Sequence, residues 1–315
     1  MAEKEQRFAI ARCRMPGAGD VPAMKFSPTA VRVATAVILI PGVVATVWWG
    51  STGLVSGFAG LVTLLALLEF FALGEHVGLH GYKIWTCVCA LAVIFQQWAA
   101  TEAQSWRLAD NVRLTRAPAA TELPLELVLF IFVLGAAAIA LLSQTPLSQA
   151  IGNLSISAAG LLFIALPFSA VVRLHGISVL GPRLLLFTLV LVWAGDMLAY
   201  FVGRWLGQTR MAPQLSPHKT WEGAAANLVA SVAVGILLAS WLRLDARDVV
   251  FMAGLANIAG QAGDLTESAY KRSGGVKDSG TILPGHGGML DRIDALILAA
   301  PVVWYYFELV LARRV

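Results

Sequence analysis

Long apolar runs, broken by short polar connections, dominate the chain. A helix crossing a bilayer needs about 20 consecutive apolar residues. Runs of that kind lie near 31–50, 53–73, 82–101, 125–143, 151–172, 184–203, 223–242, 248–268 and 292–311. The pattern predicts an all-α, polytopic integral membrane protein with about nine transmembrane helices. Residues 1–25 are mixed and broken by Pro16, Gly17, Gly19 and Pro22. They read as an N-terminal cytoplasmic segment, either disordered or ahead of the native start, with Met24 as an alternative first residue. The helices of 26–180 form an N-terminal transmembrane region, and 181–315 form the region where polar groups concentrate. The connection near 102–124 reads as a solvated loop.

Composition strengthens this reading. Hydrophobic residues make up 58% of the chain, charged residues 13%, and the mean hydropathy is +0.73. A soluble domain carries about 25% charged residues, so a soluble chain of this composition would lack polar surface. The net charge of +4 belongs to connections rich in Lys and Arg. No basic stripe lies outside the apolar runs, so nucleic acid is not an expected partner. Cys13, Cys87 and Cys89 are too few for a disulfide framework and read as free thiols, the last two inside a helix. Counting Lys and Arg by connection places the N-terminus inside. The loops 204–222 and 269–291 then share the cytoplasmic face.

Charge inside hydrocarbon is costly, at least about 2.5 kcal/mol per residue on insertion scales, and so marks function. Four places carry it: Glu69, Asp196, the Asp264–Glu267 pair and the Asp291–Asp294 pair. Asn257 and Gln261 read as interhelical hydrogen-bonding groups. Asp264, Glu267, Ser268 and Lys271 share one helix face by spacing, and so do Asp291 and Asp294. Two carboxylate-bearing helix ends suit Mg²⁺, which takes oxygen ligands and bridges them to phosphates. The simpler alternative is that the acids only pair with Lys271, Lys277 and Arg292. Between the pairs, residues 271–288 read KRSGGVKDSGTILPGHGG. Glycines there, including Gly287 and Gly288, let backbone N–H groups face an anion. Lys271, Arg272, Lys277, His286 and Arg292 add positive charge or donors. A second segment spans Asp196 to Gly223. Its Ser216-Pro217 predicts a helix cap followed by Pro at the first helical position, with Lys219, Thr220 and Glu222 at a helix N-terminus suited to phosphate. Trp221 reads as an interface anchor.

The string SAYKRSGGVKDSGTILPGHGGMLDRID, residues 268–294, closely resembles the signature of the phosphatidate cytidylyltransferase (CDP-diacylglycerol synthase) family. Supporting matches are Asp196 with Ala199-Tyr200, the SPHKTWEG segment, and Gly263-Asp264-Leu265 with Glu267-Ser268. The N-terminal half matches loosely, at Arg32 ahead of Leu39-Ile40-Pro41 and at Glu69-Phe70. His218 stands where the family often has a second Lys, and Tyr270 where a smaller or aliphatic residue is common; both bear on local phosphate contacts.

The resemblance implies that CTP and phosphatidic acid react to CDP-diacylglycerol and pyrophosphate with Mg²⁺. It also implies a metal pair at Asp264 and Asp291 in which a second, monovalent cation such as K⁺ can accompany Mg²⁺, a homodimer, and a multi-pass protein of the bacterial inner membrane with a polar pocket in the C-terminal half and its active site facing the cytoplasm. Carried onto this chain, Asp264 and Asp291 become the first-choice metal ligands. Glu267, Asp278 and Asp294 become further ligands or orienting groups. Lys271, Arg272, Lys277, His286 and Arg292 become phosphate contacts. Ser216, Lys219, Thr220, Glu222, Gly287 and Gly288 join substrate binding, and Asp196 would orient a basic partner. Two alternatives stay open: a CTP-dependent enzyme for another lipid phosphate, and a secondary transporter relaying ions through intramembrane carboxylates.

Overall fold

The computed structural model describes residues 28–109, 123–143, 146–282 and 287–314. The expectations for residues 1–25, for Cys13 and for His286 lie outside the described residues. Helices come in the order α1 (Pro28–Trp49), α2 (Thr52–His76), α3 (Lys83–Ala109), α4 (Leu125–Leu142) and α5 (Leu147–Ala159). A π-helical turn at Gly160–Ala165 then leads through α6 (Leu166–Phe168) to α7 (Ala170–His175). After α8 (Gly181–Leu206) come two short strands, β1 (Arg210–Ala212) and β2 (Ser216–Thr220). The chain closes with α9 (Trp221–Leu242), α10 (Ala246–Ser273) and α11 (Leu290–Tyr306), which runs on through Phe307–Leu311 as a π turn.

Seven described helical runs are long and apolar enough to cross a membrane: Thr52–His76, Lys83–Glu102, Leu125–Leu142, Ser148–His175, Gly181–Leu206, Trp221–Leu242 and Leu290–Leu311. Two expected spans fall short of that measure for different reasons. The apolar part of α1 is the shorter stretch Val33–Trp49. α10 has 28 residues, but Asn257, Gln261, Asp264, Glu267 and Lys271 dilute its apolar character. Helix α3 also continues to Ala109, past the expected start of a loop at 102.

Local chemistry sets several boundaries. Ser51 caps α2 by accepting the Leu54 N–H at 3.2 Å, and Asp245 caps α10 by accepting the Arg247 N–H at 2.8 Å. The π turn at 160–165 stands directly before Pro167, which has no N–H and whose ring crowds the preceding turn. Cys89 is buried, Cys87 half-buried, and both are free thiols as the sequence predicts.

Small residues decide how the C-terminal helices meet. A Cβ on Gly263 of α10 would run into the Asp294 carbonyl oxygen of α11, and one on Gly260 would lie 3.3 Å from the Ala295 carbonyl. Bare glycine therefore lets the two backbones touch. Polar side chains bind α8, α9 and α10 together. Asn257 donates to Ser231 Oγ at 2.7 Å, Gln261 donates to Asn257 Oδ1 at 2.7 Å, and Asn227 donates to Asp196 at 3.2 Å. Asn257 and Gln261 thus serve the interhelical role expected of them. The direct donor to Asp196 is the neutral amide of Asn227, and the basic groups that act on it through space are Lys219 and Arg292.

The segment after α8 departs from expectation. The Ser216-Pro217 cap does not form. Residues 216–220 are instead the second strand of an antiparallel hairpin, with Arg210 opposite Thr220 and Ala212 opposite Ser216. Thr220 caps α9, its hydroxyl accepting the Gly223 N–H at 3.1 Å. Both Ser216 and Thr220 are capping residues by type; the one next to the apolar run wins, because the helix starts only where its buried face can begin.

Candidate active site

The site is built where the glycine contact joins α10 to α11. On α10, Asp264, Glu267 and Lys271 fall on one face, as their spacing predicts. With Gly263 seated on the Asp294 backbone, the Asp294 side chain enters the same space. Carboxylate oxygens of Asp264, Glu267 and Asp294 lie within 4.8 Å of one another. Glu267 is fully buried. It meets one cation, Lys271, at 2.5 Å, and neither of its oxygens accepts a well-formed hydrogen bond. Asp264 forms an ion pair with Lys219 from β2.

Asp291 does a different job. Its Oδ1 accepts from Lys271 at 2.7 Å, while its Oδ2 accepts the backbone N–H of Ser279 at 3.1 Å and of Gly288 at 2.8 Å. It meets Glu267 at the shared Lys271 ammonium and clamps the glycine-rich loop to the start of α11. Lys271 bridges the two sets, reaching both Glu267 and Asp291.

A residue from the N-terminal half completes this clamp. Glu69 of α2 is buried and accepts three hydrogen bonds of 2.9 Å, from Ser279 Oγ and from the N–H groups of Met289 and Leu290. Met289 offers no side-chain cap of its own. The carboxylate takes that role, satisfying open N–H groups at the positive end of the helix. Gly288 is required here, because a Cβ would collide with Ser279 Oγ and the Glu69 carboxylate. Gly287 adopts a φ of +82°, which disfavours any side chain. The sequence marks Glu69 as an intramembrane charge. Its partner, 210 residues and more away, leaves no local signal.

Other expected site residues spread around this centre. Arg272 is tied to backbone, donating to the Leu215 carbonyl at 3.0 Å and the Val276 carbonyl at 3.0 Å. It fastens the hairpin to the end of α10. Glu222 accepts the Thr209 N–H at 3.1 Å and steadies the other side of the hairpin. Lys277 and Asp278 are exposed on the loop, and Arg292 is exposed on the first turn of α11.

Between α8, the hairpin, α9 and α10 opens a chamber of about 730 Å³. Asp196, Tyr200, Arg204, Arg210, Lys219, Thr220 and Asp264 are among its lining residues. Ligand sites commonly enclose about 300–1,000 Å³. One wall is cationic, from Arg204, Arg210 and Lys219, and the floor is acidic. Arg204 and Arg210, absent from the sequence expectation, reach the chamber because the hairpin folds back over α8. Such a chamber can hold an anionic ligand against a carboxylate cluster.

A profile of the cytidylyltransferase family matches residues 30–310. A phosphatidate cytidylyltransferase of Brucella abortus (strain 2308) is 43% identical over 150 residues, covering 47% of this chain and 56% of the relative. The Haemophilus influenzae protein of that name is 41% identical over 137 residues, 42% of this chain and 48% of the relative. The Bacillus subtilis one is 32% identical over 187 residues, 59% of this chain and 68% of the relative. The chain thus spans about half to two thirds of the length of these curated relatives. With the profile matched over residues 30–310, the chain belongs to the cytidylyltransferase family.

Proposed function

We propose that this protein is a phosphatidate cytidylyltransferase, converting CTP and phosphatidic acid to CDP-diacylglycerol and pyrophosphate in phospholipid biosynthesis. The observation that carries the reading is the meeting of Asp264, Glu267 and Asp294 at the edge of a chamber whose other wall is basic. The reaction brings two anions together and releases a third. It needs positioning and positive charge more than covalent catalysis.

The carboxylate group suits Mg²⁺. Its donors are all oxygen, and buried Glu267 has acceptor capacity that Lys271 alone does not satisfy. Asp264, Glu267 and Asp294 would hold the ion; a monovalent cation such as K⁺ is compatible with the same donors. Bound there, Mg²⁺ supplies charge screening and polarisation at the phosphates.

The chain's own groups do the rest. Lys219, Arg204 and Arg210 would cradle the triphosphate, with Thr220 beside them. A phosphate oxygen of the lipid attacks the α-phosphorus of CTP. The new O–P bond forms as the bond to the β-phosphate oxygen breaks, and pyrophosphate leaves. The second pKa of a phosphomonoester is about 6, so the attacking oxygen is already ionised at neutral pH and no general base is required. Lys271, held by Glu267 and Asp291, supports charge at the loop side. Asp291 and Glu69 keep Ser279, Gly287 and Gly288 in register with it.

The same reading takes the nine helical segments as membrane crossings in the bacterial inner membrane. It puts 204–222 and 269–291 at the cytoplasmic face, assigns catalysis to 181–315 with Glu69 lent from the N-terminal region, and takes the protein as a homodimer. Purified protein with CTP, Mg²⁺ and a panel of lipid phosphates provides the test. Formation of a CDP-lipid from phosphatidic acid, and at least tenfold less from an isoprenyl phosphate, is the expected result. Preference for the isoprenyl phosphate, or no CDP-lipid from any, would overturn it.

A further inference from the structure

Helix α11 shows two different faces. Asp291 and Asp294 point to the acidic centre at α10. Met289, Arg292, Ile293 and Leu296, spaced as neighbours on a helix, line a separate cavity of about 330 Å³ on the other side. This groove lies between α1, α2, α8 and α11, and its walls are apolar apart from two groups. Thr46 turns its hydroxyl inward to the Gly42 carbonyl at 2.8 Å, so Arg292 is the one ionisable group among the described lining residues. Arg292 forms no ion pair or side-chain hydrogen bond among the described residues.

The groove has a direction. Arg292 stands in the first turn of α11, one residue from Asp291 and two from Asp294. The far end is walled by Val47 near the end of α1, Val55 near the start of α2, and Leu185 near the start of α8, all at the opposite end of the bundle. Along α1 the lining runs from Ala36 to Val47, a rise of about 16 Å. That is roughly half of a ~30 Å hydrocarbon core, the depth of one leaflet and therefore of one acyl chain. The side opening is framed by Leu39, Ile40 and Phe58, each 40% exposed or more, so it faces whatever apolar medium surrounds the bundle.

We propose that this groove is an acyl-chain subsite for a phospholipid whose phosphate is held at Arg292. One chain lies between α1, α2 and α8, and the head group emerges at the first turn of α11. The charge complementarity selects an anionic lipid over a neutral one, and the place of Arg292 in the same helical turn as Asp291 and Asp294 makes that lipid the acceptor substrate. The inference rests on the proposed lipid-phosphate reaction and adds where the lipid enters and what it touches.

The test uses the full chain in bicelles with phosphatidic acid carrying a diazirine at the end of one acyl chain, photolysis, and peptide mapping by mass spectrometry. Adducts are expected within residues 36–47 and 55–62 and on the facing part of α8. Ala59→Phe, whose ring would fill the groove, should reduce them at least fivefold. Adducts confined to other surfaces such as α4, or unchanged in A59F, would overturn the groove. Arg292→Gln should reduce labelling by phosphatidic acid at least fivefold, with less than a twofold change for a diacylglycerol bearing the same diazirine. An equal change for both lipids would overturn the head-group assignment. Labelling needs no turnover, so the two readings fail separately. Groove labelling without cytidylyl transfer would sink the reaction alone, and transfer without groove labelling would sink the groove alone.

Discussion

Glu69 is the residue whose loss separates the clamp from the chemistry. Its Oε1 accepts the Met289 N–H, and its Oε2 accepts Ser279 Oγ and the Leu290 N–H. In Glu69→Gln one oxygen becomes an NH₂ that must face at least one donor. A hydrogen bond to a charged group contributes about 1.5–3 kcal/mol, and a buried donor left unmet costs a similar amount. The clamp should therefore weaken by at least about 1.5–3 kcal/mol, which is roughly 10- to 150-fold in the opening equilibrium. Amide exchange of purified protein reads this directly. Residues 277–282 and 287–290 should exchange faster by that factor, while the middle of α9 should not change. Cytidylyl transfer should fall at least tenfold, because Asp291 and Lys271 lose the loop that orients them. Glu69→Asp, which keeps the charge but shortens the reach, should lie between the two. Unchanged exchange in the loop for Glu69→Gln would refute the clamp. Faster exchange throughout the bundle would show Glu69 to be a general packing element instead.

Lys271→Met removes the cation shared by Glu267 and Asp291; breaking a buried pair costs about 3–5 kcal/mol, so the variant should unfold at clearly lower temperature in detergent, and an unaltered transition would contradict the bridge. Gly263→Ala pushes a methyl group into the Asp294 carbonyl; overpacking of this kind costs about 1–3 kcal/mol, and the variant should lose both stability and divalent-cation binding, whereas a neutral outcome would show that α10 and α11 are not in backbone contact. Asp294→Asn should weaken Mn²⁺ binding, measured by electron paramagnetic resonance, at least tenfold, while Asp291→Asn should weaken it less and loosen the 277–290 loop more. The reverse order would make Asp291 the stronger ligand and contradict the assignment of the ion to Asp264, Glu267 and Asp294.

Much of this site is visible in the chain, and the visible part is the helical part. The apolar runs and the i, i+3, i+7 spacing of Asp264, Glu267 and Lys271 depend only on local periodicity. Asn257 and Gln261 are legible for the same reason, as polar groups on an otherwise apolar face. What local periodicity does not carry is which groups meet across the bundle. Asp291 and Asp294 look equivalent by spacing, yet only Asp294 sits at the residue seated on Gly263. Arg272 looks like a phosphate contact by charge, and it is engaged by the carbonyls of Leu215 and Val276 because the hairpin folds against it. Ser216 and Thr220 are both capping types, and tertiary burial of α9 chooses between them. Glu69 is conspicuous as a charge in an apolar run, but its three donors come from the far end of the chain.

The central claim is that the three-carboxylate centre serves cytidylyl transfer to a lipid phosphate. The measurement is the movement of α-³²P from CTP into organic-extractable lipid by purified protein with phosphatidic acid and Mg²⁺, run beside Asp264→Asn and after chelation by EDTA. Label should appear as CDP-diacylglycerol with one pyrophosphate released per lipid, fall at least about a hundredfold in Asp264→Asn, and vanish with EDTA until Mg²⁺ is restored. Label in lipid at wild-type rate from Asp264→Asn, or none from the wild type at any Mg²⁺ concentration, would contradict it.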